Sequence, residues 1–277
     1  MIASRPQIVT TGAFDNLRSI DVRFLEEAAK LGDLTVLLWS DETIRQLNGQ
    51  PPKFAESERL YLLQAIRYVS HVRIVRENIS QDSLPNSLEQ RVDAWAVTES
   101  ESNEAKRTFC DGRGLRYLVI NQNSLKGFPS APVEQPIAPT PRKKVLVTGC
   151  YDWFHSGHVR FFEEVSQHGD LYVVVGHDAN IRALKGSGHP LFPQEERRYL
   201  INSVRFVKQT LISTGDGWLD ADPEIQRLKP EIYAVNEDGD RGGKRAYCEA
   251  RGIQYLVLKR TPAPGLPQRT STTLRGF

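Results

Sequence analysis

The stretch GCYDWFHSGHVRFFEEV, Gly149 to Val165, sets two histidines three residues apart. At that spacing His155 and His158 lie one helical step apart, so both imidazoles can address the same anion. Gly157 between them allows close backbone approach, and Ser156 is a suitable N-cap. Upstream, KVLVT (Lys144–Thr148) reads as a short strand, and downstream Val159, Phe162 and Val165 recur as one helical face. The pair therefore falls on a strand-to-helix turn. Unpaired N–H groups and the positive end of the helix dipole favour phosphate at such a turn. The chemistry implied is stabilisation of negative charge on a phosphate group.

The turn occurs twice. Shifting the chain by 137 positions aligns Thr11–Glu27 with Thr148–Glu164, and nine of these 17 positions are identical. The match resumes at RYVSHVRIV (from Arg67) against RFVKQTLIS (from Arg205), and at AKRTFCDGRGLRYLVI (from Ala105) against GKRAYCEARGIQYLVL (from Gly243). Such a match, running almost end to end, describes two whole domains. Between them GFPSAPVEQPIAPTPRKK, with five prolines, reads as a semi-extended linker. The expected organisation is a first domain over 1–126, a linker over 127–142 and a second domain over 143–277.

Each copy alternates strand and helix patterns. In the second, strands are expected at 144–148, at 171–175, near Phe206, at 231–235 and at 255–258. That order implies right-handed crossovers and two tandem Rossmann-like domains of the α/β class, each with a doubly wound parallel sheet. Ligands on these sheets sit at the carboxyl ends of the strands, where the histidine turn falls.

Composition bounds the partners. Of the 277 residues, 39% are hydrophobic and 25% charged, as in ordinary globular proteins. Thirty-six Lys and Arg against 34 Asp and Glu leave no strong overall field, which argues against nucleic acid or an anionic membrane. No apolar run reaches the length needed to span a bilayer, and the N-terminus lacks the apolar core of a secretory signal. Three cysteines without CxxC spacing suggest neither a disulfide framework nor a cysteine zinc site, so a reducing cytoplasm is the expected setting.

FHSGH after GCYD resembles the signature of the HxGH nucleotidyltransferase superfamily, most of all its cytidylyltransferases. The tandem layout is similar to that of phosphoethanolamine cytidylyltransferases, with a degenerate N-terminal copy here. The resemblance implies transfer of CMP from CTP to a phosphorylated alcohol or sugar phosphate, with release of pyrophosphate. LKGSGHPLFPQEER also resembles the heptose-phosphate adenylyltransferases, which makes ATP the alternative donor; a non-catalytic nucleotide-binding module is the alternative of another class. By the resemblance His155, His158 and Lys185 are catalytic. Gly149, Tyr151, Asp152, Gly157, Arg197, Arg269, Ser271, Thr272 and Thr273 bind the nucleotide. Asn236, Asp238 and Asp240 line the acceptor pocket. Asp178 falls on a family acidic position and reads as mainly structural. RTSTTLRGF resembles the family's RTEGIST motif imperfectly, its arginine and threonine being either Arg269 and Thr270 or Arg260 and Thr261. Magnesium is expected with the nucleotide, and no metal site formed by the protein alone.

Applied to the first copy, the comparison removes most of that set. His155 becomes Arg18, His158 becomes Asp21, Lys185 becomes Asn48, Asn236 becomes Thr98 and Asp238 becomes Ser100, whereas Arg197 survives as Arg59. The apolar framework is kept. The first domain is thus expected to be an inactive scaffold paired intramolecularly with the second, with a homodimer as a further possibility.

Overall fold

The computed structural model describes residues 5–76, 80–86, 88, 91–129, 136–271 and 274. The chain divides after Gly127 into two compact units. In the first, the strands are β1 (Gln7–Gly12), β2 (Asp33–Trp39), β3 (His71–Val75), β4 (Ala94–Thr98) and β5 (Arg116–Ile120). Its helices are α1 (Ser19–Lys30), α2 (Asp41–Asn48), α3 (Glu56–Ala65) and α4 (Glu104–Arg113). The second repeats the order with strands β6 (Lys144–Gly149), β7 (Asp170–Val175), β8 (Val207–Ile212), β9 (Ile232–Asn236) and β10 (Gln254–Leu258). Its helices are α5 (Ser156–Ser166), α6 (Asp178–Lys185), α7 (Gln194–Asn202), α8 (Asp222–Leu228) and α9 (Lys244–Glu249).

The sheet orders are β3-β2-β1-β4-β5 and β10-β9-β6-β7-β8, and every pairing is parallel. The two units are therefore the same doubly wound α/β fold, as the repeat required. Central strands of such sheets are covered on both faces, so they read as continuous apolar runs rather than alternating ones. Val145, Leu146 and Val147 of β6 and Leu171 to Val175 of β7 are accordingly buried. On α5 the stripe Val159, Phe162 and Val165 is wholly buried, and α8 and α9 contribute Ile225, Leu228 and Cys248 to a core with Leu146, Tyr172 and Tyr233. Cys110 is equally buried in the first unit.

Pairing along β6 is unequal. Against β7 it runs from Lys144 to Gly149, but against β9 only Val145 and Leu146 are in register. The strands part toward their carboxyl ends, and the crevice between them is the switch point where such sheets take ligands. β1 and β4 part in the same way after Ile8 and Val9.

The proline-rich stretch is not a free tether over its described residues. Gln209, buried on β8, needs partners for its amide. It accepts from Ala138 N and donates to Pro136 O, both at 2.9 Å. The Tyr172 hydroxyl donates to Ala138 O at 2.6 Å, and Ile137 joins the core. At the other end the Arg198 guanidinium donates to Pro129 O, and Phe128 packs on Tyr199. Residues 128, 129 and 136–142 thus belong to the second unit, whose edge lies nearer Gly127 than residue 143.

Candidate active site

The site is built on the turn from β6 to α5. His155 is the N-cap of α5, with extended backbone (φ −154°, ψ 169°), and Ser156 is the first helical residue. This moves the cap one residue earlier than the sequence suggested. Tyr151 holds a left-handed φ of 54°, as does Phe14 (45°) at the matching place in the first unit. A non-glycine residue in that region is strained by about 1–3 kcal/mol, and both units keep the strain.

The imidazoles of His155 and His158 stack, with ring centroids 3.8 Å apart and planes 20° apart. Tyr151 packs edge-on against His158 at 5.2 Å. His155 is 1% exposed. Both of its ring nitrogens, and Nδ1 of His158, are buried without a hydrogen-bond partner among the described residues. Buried polar atoms are nearly always paired, so three orphaned nitrogens on two adjacent rings mark a place for a ligand. Burial and then the charges of Arg260 and Arg269 push the His155 pKa down to about 3. His158 is held well below its usual value by burial, then by His155, Arg260 and Lys185. Both rings are therefore neutral, each with one N–H to give. Three cations close enough to act on them make the surroundings favourable to an anion.

Two glycines shape this seat. A Cβ on Gly149, at the end of β6, would lie 2.7 Å from the Tyr151 ring that backs His158. On Gly157 it would lie 3.0 Å from the His155 ring and 3.3 Å from the carbonyl oxygen of Arg269. The latter contact shows the C-terminal segment lying across the turn. Ser271 reaches the same turn, its hydroxyl 3.5 Å from Trp153 O. Thr272 and Thr273 lie outside the described residues.

Other expected nucleotide ligands have different employment. Arg197 is 1% exposed. Its Nε donates to Phe192 O (2.8 Å), Nη1 to Cys150 O (2.6 Å), and Nη2 to Gly176 O (2.9 Å) and Asp178 Oδ1 (2.6 Å). Arg59 makes the matching bonds to Phe54 O, Ala13 O and Asp41 Oδ1. A guanidinium so engaged has no fork left for a triphosphate; Arg197 ties the turn to the end of β7. Asp152 is engaged through one oxygen alone; its buried Oδ2, 3.5 Å from His189 Nδ1, has no hydrogen-bond partner among the described residues. Its Oδ1 accepts from Leu191 N (2.7 Å) and Phe192 N (3.0 Å), as Asp15 accepts from Lys53 N and Phe54 N. Tyr151, buried behind His158, positions a ring rather than facing solvent. These residues hold the loop, and the first unit keeps the arginine and the aspartate as Arg59 and Asp15, with Phe14 in place of Tyr151.

Lys185 ends α6 and is exposed. Asn236 ends β9 and, with Gly157, Arg260 and Arg269, lines a small pocket. Asp238 pairs with Arg260. Asp240, exposed, accepts from the Tyr255 hydroxyl (2.9 Å) and faces Arg245 (3.4 Å), contacts that tie it to β10 and α9. Arg260, named in the sequence only through an ambiguous arginine-threonine pair, also donates to Arg269 O at 3.0 Å. Both candidate arginines converge on the histidines.

In the first unit the helix start is a closed structural device. Asp21, in the place of His158, accepts from Arg18 N at 2.7 Å and caps α1. Burial and the charge of Glu101 raise its pKa, the Arg18 N–H opposing them. Among the described residues no three His, Cys, Asp or Glu side chains gather as a metal site, and no helix is long and apolar enough to cross a membrane.

The comparisons with known proteins bear on the same region. The cytidylyltransferase-like family model matches residues 146–258. An FAD synthase of Ferroglobus placidus is 32% identical over 120 residues, 42% of this chain and 75% of that protein. An FAD synthase of Methanocella arvoryzae is 27% identical over 136 residues, 48% of this chain and 93% of that protein. The bifunctional protein HldE of Nitratiruptor is 34% identical over 128 residues, 44% of this chain but 27% of its own length. With the parallel sheet, the crevice at its switch point and a histidine pair at the start of α5 in place, this chain belongs to the cytidylyltransferase-like family of nucleotidyltransferases.

Proposed function

We propose that the second unit transfers a nucleotidyl group from a nucleoside triphosphate to a phosphorylated small-molecule acceptor. An acceptor phosphate oxygen attacks the α-phosphorus, the bond from that phosphorus to the bridging oxygen breaks, and pyrophosphate leaves with the electron pair. The observation that carries this reading is the stacked, neutral His155–His158 pair with orphaned nitrogens amid Arg260, Arg269 and Lys185. Neutral imidazoles donate N–H groups to phosphate oxygens without needing to gain or lose a proton. The cations offset charge that grows on the α-phosphate and the departing pyrophosphate. No covalent nucleophile is required; positioning and charge stabilisation carry the rate. The Arg269 backbone and the Ser271 hydroxyl lie against the same turn, so both stand where a triphosphate bound there would meet them. Magnesium comes as part of the substrate, on the triphosphate's own oxygens.

ATP is the donor we favour. FAD synthases are named for a product that contains an adenylyl group, and the segment from Leu184 to Arg197 supports the same reading by its resemblance to adenylyltransferases. CTP is the second reading, supported by FHSGH. A pyrophosphate-release assay with ATP and CTP against a panel of sugar phosphates, phospho-alcohols and FMN separates them. Turnover with CTP alone would overturn the adenylyl choice. Tight nucleotide binding without release for any pair would instead identify a binding module.

A further inference from the structure

The first unit contains a cavity of about 330 Å³ at the carboxyl end of its sheet. That size suits a small-molecule site. It lies where β1 and β4 part, as β6 and β9 part in the second unit. Thr11 comes from β1 and Trp39 from the end of β2, while Ser100, Ser102 and Asn103 follow β4. By the repeat, Ser100 and Ser102 replace Asp238 and Asp240, and Trp39 replaces Gly176. The first unit thus carries a cavity at these positions with a lining of its own.

The new lining is rich in hydroxyl and amide groups. Thr11 and Gln81 line it, and their side chains make no hydrogen bond among the described residues. Ser102 accepts from the Tyr117 hydroxyl at 3.0 Å and keeps its own proton to donate. The charged groups are already spoken for. Lys106 donates to Asp82 at 2.9 Å, and Glu101 accepts from the Thr98 hydroxyl at 2.8 Å. The charge of Glu101 is felt by half-buried Asp21, which stands where the second unit carries His158. A phosphate would meet carboxylates where the other unit offers imidazoles and cations.

We infer that the first unit binds an uncharged, hydroxyl-rich molecule of monosaccharide or nucleoside size in this crevice and performs no chemistry on it. Isothermal titration of the full chain with D-ribose, D-glucose, adenosine and cytidine, and with ribose 5-phosphate, AMP and CMP, tests it. One uncharged probe should bind, with its phosphate ester at least about tenfold weaker at that site. Ser100→Leu, at an exposed position, should abolish that binding by filling the cavity, and Gln81→Leu should weaken it should the first variant fail to fold. The matching change in the second unit, Asp238→Leu, should leave it intact. Absence of binding by all four uncharged probes, survival of binding in both first-unit variants, or its loss in Asp238→Leu would overturn the inference. None of these outcomes depends on nucleotidyl transfer, so the two readings fail separately.

Discussion

The rings of His155 and His158 lie face to face, 3.8 Å apart, at the start of α5, whereas Asp21 at the matching place in α1 accepts the Arg18 N–H at 2.7 Å. One helix start keeps ring nitrogens without partners among the described residues; the other is capped by its own chain.

Replacing a histidine should therefore matter in one unit alone. His155→Ala should lower kcat by about 10²–10³, the usual loss for one preorganised donor. Arg18→Ala should leave kcat within about twofold, because Arg18 stands in the unit without the histidine pair. Steady-state pyrophosphate release on both variants checks this; comparable losses would contradict it.

The stacked pair should also make stability depend on pH. Its imidazoles are neutral when folded, with His155 depressed to about 3, and near 6.5 when unfolded. Below about pH 6.5 the unfolded chain takes up protons that the folded one does not, so stability falls as pH drops toward the folded values. The limiting slope is about 1.4 kcal/mol per pH unit for each imidazole. Thermal melts between pH 7.5 and 5 should show it, and His155→Gln should flatten it; an unchanged slope would contradict neutral, buried rings.

Arg197 should behave as framework. Arg197→Ala strands three carbonyls and Asp178, and Arg59→Ala does nearly the same in the first unit. Each should destabilise its own unit by about 3–5 kcal/mol, the range for breaking a buried ion pair. Differential scanning calorimetry resolves the two. An Arg197→Lys protein of unchanged stability that no longer binds triphosphate would restore the phosphate role.

Gly149→Ala probes the seat of His158 through the Tyr151 ring. The added carbon would lie 2.7 Å from the Tyr151 ring, forcing that ring toward the histidine. A displacement approaching 1 Å at a reacting geometry costs about 10² in rate, so kcat should fall steeply. Tyr151→Ala in the same background should recover part of the loss by freeing the space.

The sequence by itself determined the two α/β units, their strands, the histidine turn and the loss of its ligands in the first copy. These are local signals: apolar runs of strand length, a helical stripe, and residue identities at a repeat of 137. It did not reveal what Arg197 and Asp152 do, because an arginine in EER and an aspartate beside a glycine turn look the same whether they face a ligand or the backbone: carbonyls for the arginine, N–H groups for the aspartate. Only the tertiary structure decided that, by bringing Phe192, Cys150 and Gly176 around one guanidinium from three separate segments. It likewise brought both Arg260 and Arg269 to the histidines, and laid the described residues of a proline-rich stretch on the buried Gln209. Whether a charge is free or already satisfied depends on contacts across dozens of residues, and spacing along the chain carries no record of them.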